Sequence, residues 1–232
     1  MKHAQGLSML ASAALLLSLA SSPALARGAD TKPKPKQEVQ YPNATRVAPK
    51  LDLTSAKDQK DLNEGLDAVS AGDQAKAEQL LQPIVDGGSK SKYAQALALQ
   101  GLASIKYNAG DAKGAIGLLQ RSLALGVMPN DTYFQLQYML AQFQMADEQY
   151  QAALDTVTKW RADGKKETAD SYSLEGNADY RLGKYPEAIA AIEKAKSLTD
   201  KPKDSWNQIL MASYSESGQT EKAAALAQQQ VT

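Results

Sequence analysis

The chain has no cysteine, and its single histidine is His3, two residues from the start. Without thiols there are no disulfides, no thiolate metal sites and no cysteine nucleophile. With one terminal histidine, Ser-His-Asp catalysis, imidazole-ligated zinc and histidine-ligated haem lose their required group. Charge of one sign is also missing, since 26 Lys and Arg balance 26 Asp and Glu. A general nucleic-acid binder needs an excess of cations to displace phosphate counterions, so that class is set aside. Aromatics are scarce at 6%. No apolar run reaches the roughly 20 residues that span a bilayer as a helix. Gly-rich phosphate loops, metal-ligand spacings and nucleophile elbows are absent as well. What remains is a chain of 232 residues, long enough for one sizeable core and rich in Ala, Gln and Leu.

Residues 1–26 have the three parts of an export signal. Lys2 supplies a positive start, an apolar stretch follows from Leu7 to Ala20 around Leu15, Leu16 and Leu17, and Pro23 precedes Ala24-Leu25-Ala26. That small-x-small ending is what a signal peptidase reads, which predicts cleavage between Ala26 and Arg27 and a periplasmic location. The remaining chain would carry neither His nor Cys, and no integral membrane segment. Residues 27–57 are rich in Pro and Lys, with Pro33, Pro35, Pro42 and Pro49 interrupting any helix. With so little apolar surface to offset ordering entropy, the segment is expected to be a disordered tail, with Tyr41 and Val47 as its only candidate anchors.

From residue 58 the pattern turns helical and repeats. The clearest unit runs from Leu174 to Ile189: a helix ends at Gly183, a short turn follows, and Pro186 sits in the first turn of the next helix. Its small packing residue, Ala188, has counterparts at Ala77, Ala115, Ala153 and Ala223, spaced 35 to 38 residues apart by subtraction. The turns ahead of them are Gly72-Asp73, Gly110-Asp111, Glu148-Gln149, Gly183-Lys184 and Gly218-Gln219; the third has lost its glycine. Five copies in register predict five helix pairs, each burying the face its neighbour leaves open. The expected helices are Leu62–Ala71, Gln74–Asp86, Ala94–Ala109, Lys113–Leu125, Asp131–Asp147, Gln149–Arg161, Ala169–Leu182, Pro186–Leu198, Ser205–Ser217 and Glu221–Gln230. Pro83 is expected to kink or shorten the second. Trp160 and Trp206 read as packing anchors.

This skeleton resembles the tetratricopeptide repeat (TPR), a helix–turn–helix of about 34 residues. The resemblance implies an all-α fold, a right-handed superhelical solenoid of about five helix–turn–helix pairs over residues 58–232. It also implies a protein–protein interaction module whose first helices line a concave face. Carried over onto this chain, the protein-binding residues are Gln100, Tyr107 and Asn108 of the second pair; Gln135, Tyr138 and Gln142 of the third; and Asn177, Tyr180 and Arg181 of the fourth. Tyrosine joins a large apolar area to a hydrogen-bonding tip, and Gln and Asn pair with peptide backbone in both senses. Arg181 is the only cation on that face, so the lysine- and arginine-rich clamp for a terminal carboxylate is missing.

Three short stretches, Tyr41-Pro42-Asn43-Ala44-Thr45-Arg46, Met128-Pro129-Asn130-Asp131 and Asp200-Lys201-Pro202-Lys203-Asp204-Ser205-Trp206, are similar to periplasmic TPR proteins associated with TonB–ExbB–ExbD systems. That likeness implies an accessory adaptor of TonB-dependent transport, with TonB or a TonB-dependent receptor as partner. A scaffold for envelope or cell-wall assembly is the alternative reading, and a carrier of a small ligand is a further one. The carboxylate pairs Asp147-Glu148 and Asp61 with Glu64 read as solvated surface, so no enzyme activity, cofactor or metal site is expected.

Overall fold

The computed structural model describes residues 39–50, 52 and 55–229. The expected signal peptide and the first part of the tail lie outside those residues. Among the described residues there are ten α-helices and no strand: α1 Ala56–Ala71, α2 Gln74–Pro83, α3 Lys92–Asn108, α4 Ala112–Ala124, α5 Asn130–Ala146, α6 Tyr150–Gly164, α7 Ala169–Arg181, α8 Tyr185–Ser197, α9 Asp204–Glu216 and α10 Thr220–Gln229. They pack as five consecutive helix pairs, each also touching the next, the arrangement of a TPR solenoid.

The first helix begins at Ala56, earlier than the periodicity indicated, because Ser55 caps it by accepting from the Asp58 N–H. Two further ends differ: α2 stops at Pro83 and the chain widens into a single π-type turn, Ile84–Gly88, instead of running helically to Asp86, and α6 continues to Gly164 instead of stopping at Arg161.

Pairing depends on small residues at two matched positions. Ala77, Ala115, Ala153 and Ala188 on the second helices are fully buried. Twelve residues before each, by subtraction, the first helix carries Gly65, Ala103, Ala141 and Gly176, all buried. A Cβ at Gly65 would stand 2.5 Å from Leu81 Cδ2, and one at Gly176 would stand 2.6 Å from Ile192 Cγ1, so the helices approach to a distance that only these residues permit. Around this seam lie the large apolar groups. Phe134, Trp206, Leu119 and Ile192 are almost wholly buried, each worth roughly 1.5–3 kcal/mol of hydrophobic stabilisation. Trp160 donates its indole N–H to the Phe134 carbonyl at 2.8 Å, which confirms its role as a packing anchor.

The tail reading needs correcting for residues 39–50 and 52. Tyr41 is buried, its ring lying against Phe134 and Trp160. Arg46 spreads its guanidinium over the loop before α5: Nη1 donates to the Met128 carbonyl at 2.7 Å and to Asn130 Oδ1 at 2.9 Å, and Nη2 to the Gly126 carbonyl at 2.6 Å. Asn130 returns a bond to the Arg46 carbonyl at 2.9 Å. Asp52 then receives the backbone N–H groups of Lys92 and Tyr93 and the Ser91 hydroxyl, all at 3.0 Å, at the start of α3. Burial opposes ionisation of Asp52, but these donors outweigh it and hold its carboxyl below the usual range. The strap therefore touches the third helix pair, the loop between α4 and α5 and the start of α3. One aromatic and two charged groups anchor a segment whose average composition indicated disorder, while Val47 stays almost fully exposed.

Candidate functional site

The residues expected to bind a partner lie along α3, α5 and α7. Counting from the small seam residues Ala103, Ala141 and Gly176, most of them fall into register: Gln142 and Asn177 one step on, Tyr107 and Tyr180 four steps on, Asn108 and Arg181 five steps on, and Gln100 and Tyr138 three steps back. Asn108, Asn177 and Arg181 are exposed, whereas Gln100, Tyr107, Gln135, Tyr138, Gln142 and Tyr180 are half-buried.

Two of the tyrosines are committed to packing. Tyr107 stacks flat on Phe143, ring centroids 3.8 Å apart and planes within 1° of parallel, joining α3 to α5. Tyr138 leans on the Trp160 indole at 5.3 Å. It also packs against the cluster of Ala141, Ala153, Val157 and Leu174. Burial pushes its hydroxyl far above the ordinary tyrosine range, and the nearby charge of Asp170 adds to this. Tyr138 therefore belongs to the joint between helices more than to an open contact face.

The fourth pair presents the best-formed polar group. Arg181 Nε donates to the Tyr150 hydroxyl at 2.9 Å, and its guanidinium carbon stands 4.9 Å from the centre of that ring. Glu148 lies 3.9 Å away and Tyr185 stands 5.9 Å from Tyr180. Asn177, one turn back, is open to solvent. The structure thus brings Asn177, Tyr180 and Arg181 together with Tyr150, Tyr185 and Glu148 from the flanking turns. Gln100 and Gln135 lie farther along the row. Exposed amide and guanidinium groups beside half-buried phenols supply donors and acceptors to a peptide backbone, and nothing among them is arranged for acid–base work.

Residues 52–216 match the family described as tetratricopeptide repeat-like domain. The chain belongs to that family. No curated protein matches it. Solved TPR structures resemble it at low identity. MamA residues 41 to the end from Desulfovibrio magneticus RS-1 is 19% identical with a TM-score of 0.62, covering 75% of this chain and 93% of that one. A crystal structure of MamA protein gives 21% and 0.62, covering 74% and 88%. The TPR-like repeats of a kinesin light chain from Podosopora anserina give 18% and 0.58, covering 76% and 94%. Identities this low establish the fold alone, that of a tetratricopeptide-type solenoid.

Sequence reasoning missed two features of this TPR domain. One is the strap, for which Tyr41 and Arg46 were the available signals. The other is a second cleft, between α6 and α8, whose acidic floor residues Glu175 and Asp179 alternate with the polar row of the same helix α7. No helix among the described residues is long and apolar enough to cross a membrane.

Proposed function

We propose that this protein is an exported scaffold of the cell envelope, an accessory adaptor of a TonB-dependent transport system that holds an extended segment of its partner on α3, α5 and α7. The carrying observation is the group of exposed Asn177 and Arg181 with half-buried Tyr180, continued by the half-buried amide of Gln142 at the position equivalent to Asn177 in the preceding pair. A Pro-rich, extended partner such as the periplasmic span of TonB suits such a surface, because its backbone carbonyls are unpaired and its ordering entropy is already low. The export signal at residues 1–26 supports the compartment, and the three short stretches shared with TonB-associated TPR proteins support the system. All three stretches have physical work in the fold. Arg46 of the first grips Met128 and Asn130 of the second. Trp206 of the third is a core residue.

The test combines a mass of the mature chain with affinity purification from envelope extracts. A mature chain beginning at Arg27, with TonB or a TonB-dependent receptor enriched and uptake slowed on deletion, is the expected result. Enrichment of cell-wall or outer-membrane assembly proteins, with normal uptake on deletion, overturns the transport role in favour of an assembly scaffold.

A further inference from the structure

In this solenoid α7 packs between α6 and α8, and those two helices do not close over it. A cleft of about 530 Å³ opens there, well within the range of sites that hold ligand groups. Leu154 on one side and Ala190 and Ala191 on the other give it aliphatic walls, and Asp179 lies in its floor.

Asp179 is 3% exposed, and among the described residues no hydrogen bond or ion pair engages its carboxylate, whose oxygens keep contact with the solvent of the cleft. Every other charged group facing it from α6, α7 and α8 is engaged elsewhere or lies at the rim. Glu175 is paired with Arg161. Lys184 donates to Gln151 at 3.0 Å, and Lys194 stands 3.5 Å from Glu167. Glu187 lies exposed at the mouth. Burial pushes the Asp179 carboxyl up to about 6, with the charge of Glu175 adding to the effect. A buried carboxylate without a partner is costly, and a cation brought from outside removes that cost.

We infer that this cleft is a second docking site, receiving one lysine or arginine side chain of an extended partner segment, its methylenes against Leu154, Ala190 and Ala191 and its cation on Asp179. Long basic side chains have this two-part character, an apolar stem and a charged head, and a charge-assisted bond to a desolvated carboxylate is a strong one. Glu187 at the mouth favours the approach of a cation. The site is separate from the row of Asn177 and Tyr180 and stands or falls without it.

The test is a nuclear magnetic resonance titration of the chain with two capped heptapeptides of alanine and glycine, identical except for a central lysine or norleucine. The lysine peptide is expected to shift the signals of Leu154, Tyr172 and Ala190 and to bind at least tenfold more tightly than the norleucine peptide. Asp179→Asn, which keeps the shape of the side chain, should abolish that preference with the helical circular dichroism unchanged, while Glu78→Gln on α2 keeps it. Equal affinities for the two peptides, no binding of either, or a lysine preference that survives Asp179→Asn would each overturn the inference.

Discussion

The ring of Tyr41 stands edge-on to the indole of Trp160, centroids 5.8 Å apart and planes at 89°, joining the strap to the third helix pair. The same ring tilts onto Phe134 at 4.7 Å and lies so close to Gly164 that a Cβ there would approach its Cδ1 to 3.1 Å. Repeat proteins are held mainly by contacts between neighbours, so each repeat can open with only local loss. A strap fixed at the α6–α7, α4–α5 and α3 junctions adds ties of longer range and should make the solenoid unfold more cooperatively.

Tyr41→Ala removes the aromatic anchor and is expected to cost about 2 kcal/mol, from lost burial and the hole left beside Phe134. For a domain of this size that lowers the melting temperature by roughly 4–8 °C. Arg46→Ala should cost about 1–2 kcal/mol by leaving the Gly126 and Met128 carbonyls without their donor. Thermal unfolding followed by circular dichroism checks both, and unchanged melting in both variants contradicts a bound strap.

Glu148 occupies the turn position where the other repeats place glycine. Its φ is 59°, beside 76°, 83°, 75° and 77° at Gly72, Gly110, Gly183 and Gly218. A side chain in this left-handed region carries steric strain of roughly 1–2 kcal/mol. Glu148→Gly is therefore expected to stabilise the fold by about 0.5–1 kcal/mol, net of the glycine's greater freedom when unfolded. Urea midpoints measure the gain. The loss of a weak Glu148–Arg181 contact should be small, since both groups are exposed.

Two helical glycines should respond in opposite directions to alanine. At Gly176 a new Cβ meets Ile192 at 2.6 Å and the Ala188 carbonyl oxygen at 3.1 Å, so overpacking should outweigh the better helix propensity by about 1–2 kcal/mol. At Gly117 in α4 nothing lies within 4 Å, and Gly117→Ala should add up to about 1 kcal/mol. Denaturant unfolding of the two variants beside the parent gives the signs directly.

Asp179 gives stability a pH dependence of known sign. Its carboxyl is pushed up to about 6 in the fold, against about 3.9 when unfolded, by burial first and then by Glu175 and Glu187, while Lys184 and Arg161 oppose them. The folded state therefore binds the proton more tightly, and this group's contribution is fully present below about pH 4 and lost as pH rises through about 6. Asp179→Asn should raise stability at pH 7.5 by on the order of 1 kcal/mol and have no such benefit at pH 4. Urea midpoints at the two pH values compare the variant with the parent.

Much of the architecture was legible because it is written at one period. Ala77, Ala115, Ala153 and Ala188 repeat where helices must touch, and buried small residues leave a plain signal in sequence. All ten helices followed from that register, with the ends of α1 and α2 displaced by a cap and a proline. The strap was not legible, because three well-placed groups, Tyr41, Arg46 and Asp52, determine its docking while composition averages over the rest of the segment. The candidate face was legible in part. Asn177 and Arg181 are open as their helical positions imply, but whether a tyrosine faces outward depends on its partner across the helix joint. Phe143 claims Tyr107 and Trp160 claims Tyr138, and neither pairing can be read from spacing within one helix. Asp179 was missed for a similar reason, since it lies beside the polar row in sequence and on another side of α7 in space.

The most direct measurement is photocrosslinking in the living cell, with a benzophenone amino acid at Asn177 or Tyr180 and, for comparison, at Gln120 on the exposed side of α4. Discrete adducts with an envelope protein from Asn177 and Tyr180, and none from Gln120, are the predicted result. Capture from Gln120 alone, or the same adducts from all three positions, would contradict a docking face on the first helices.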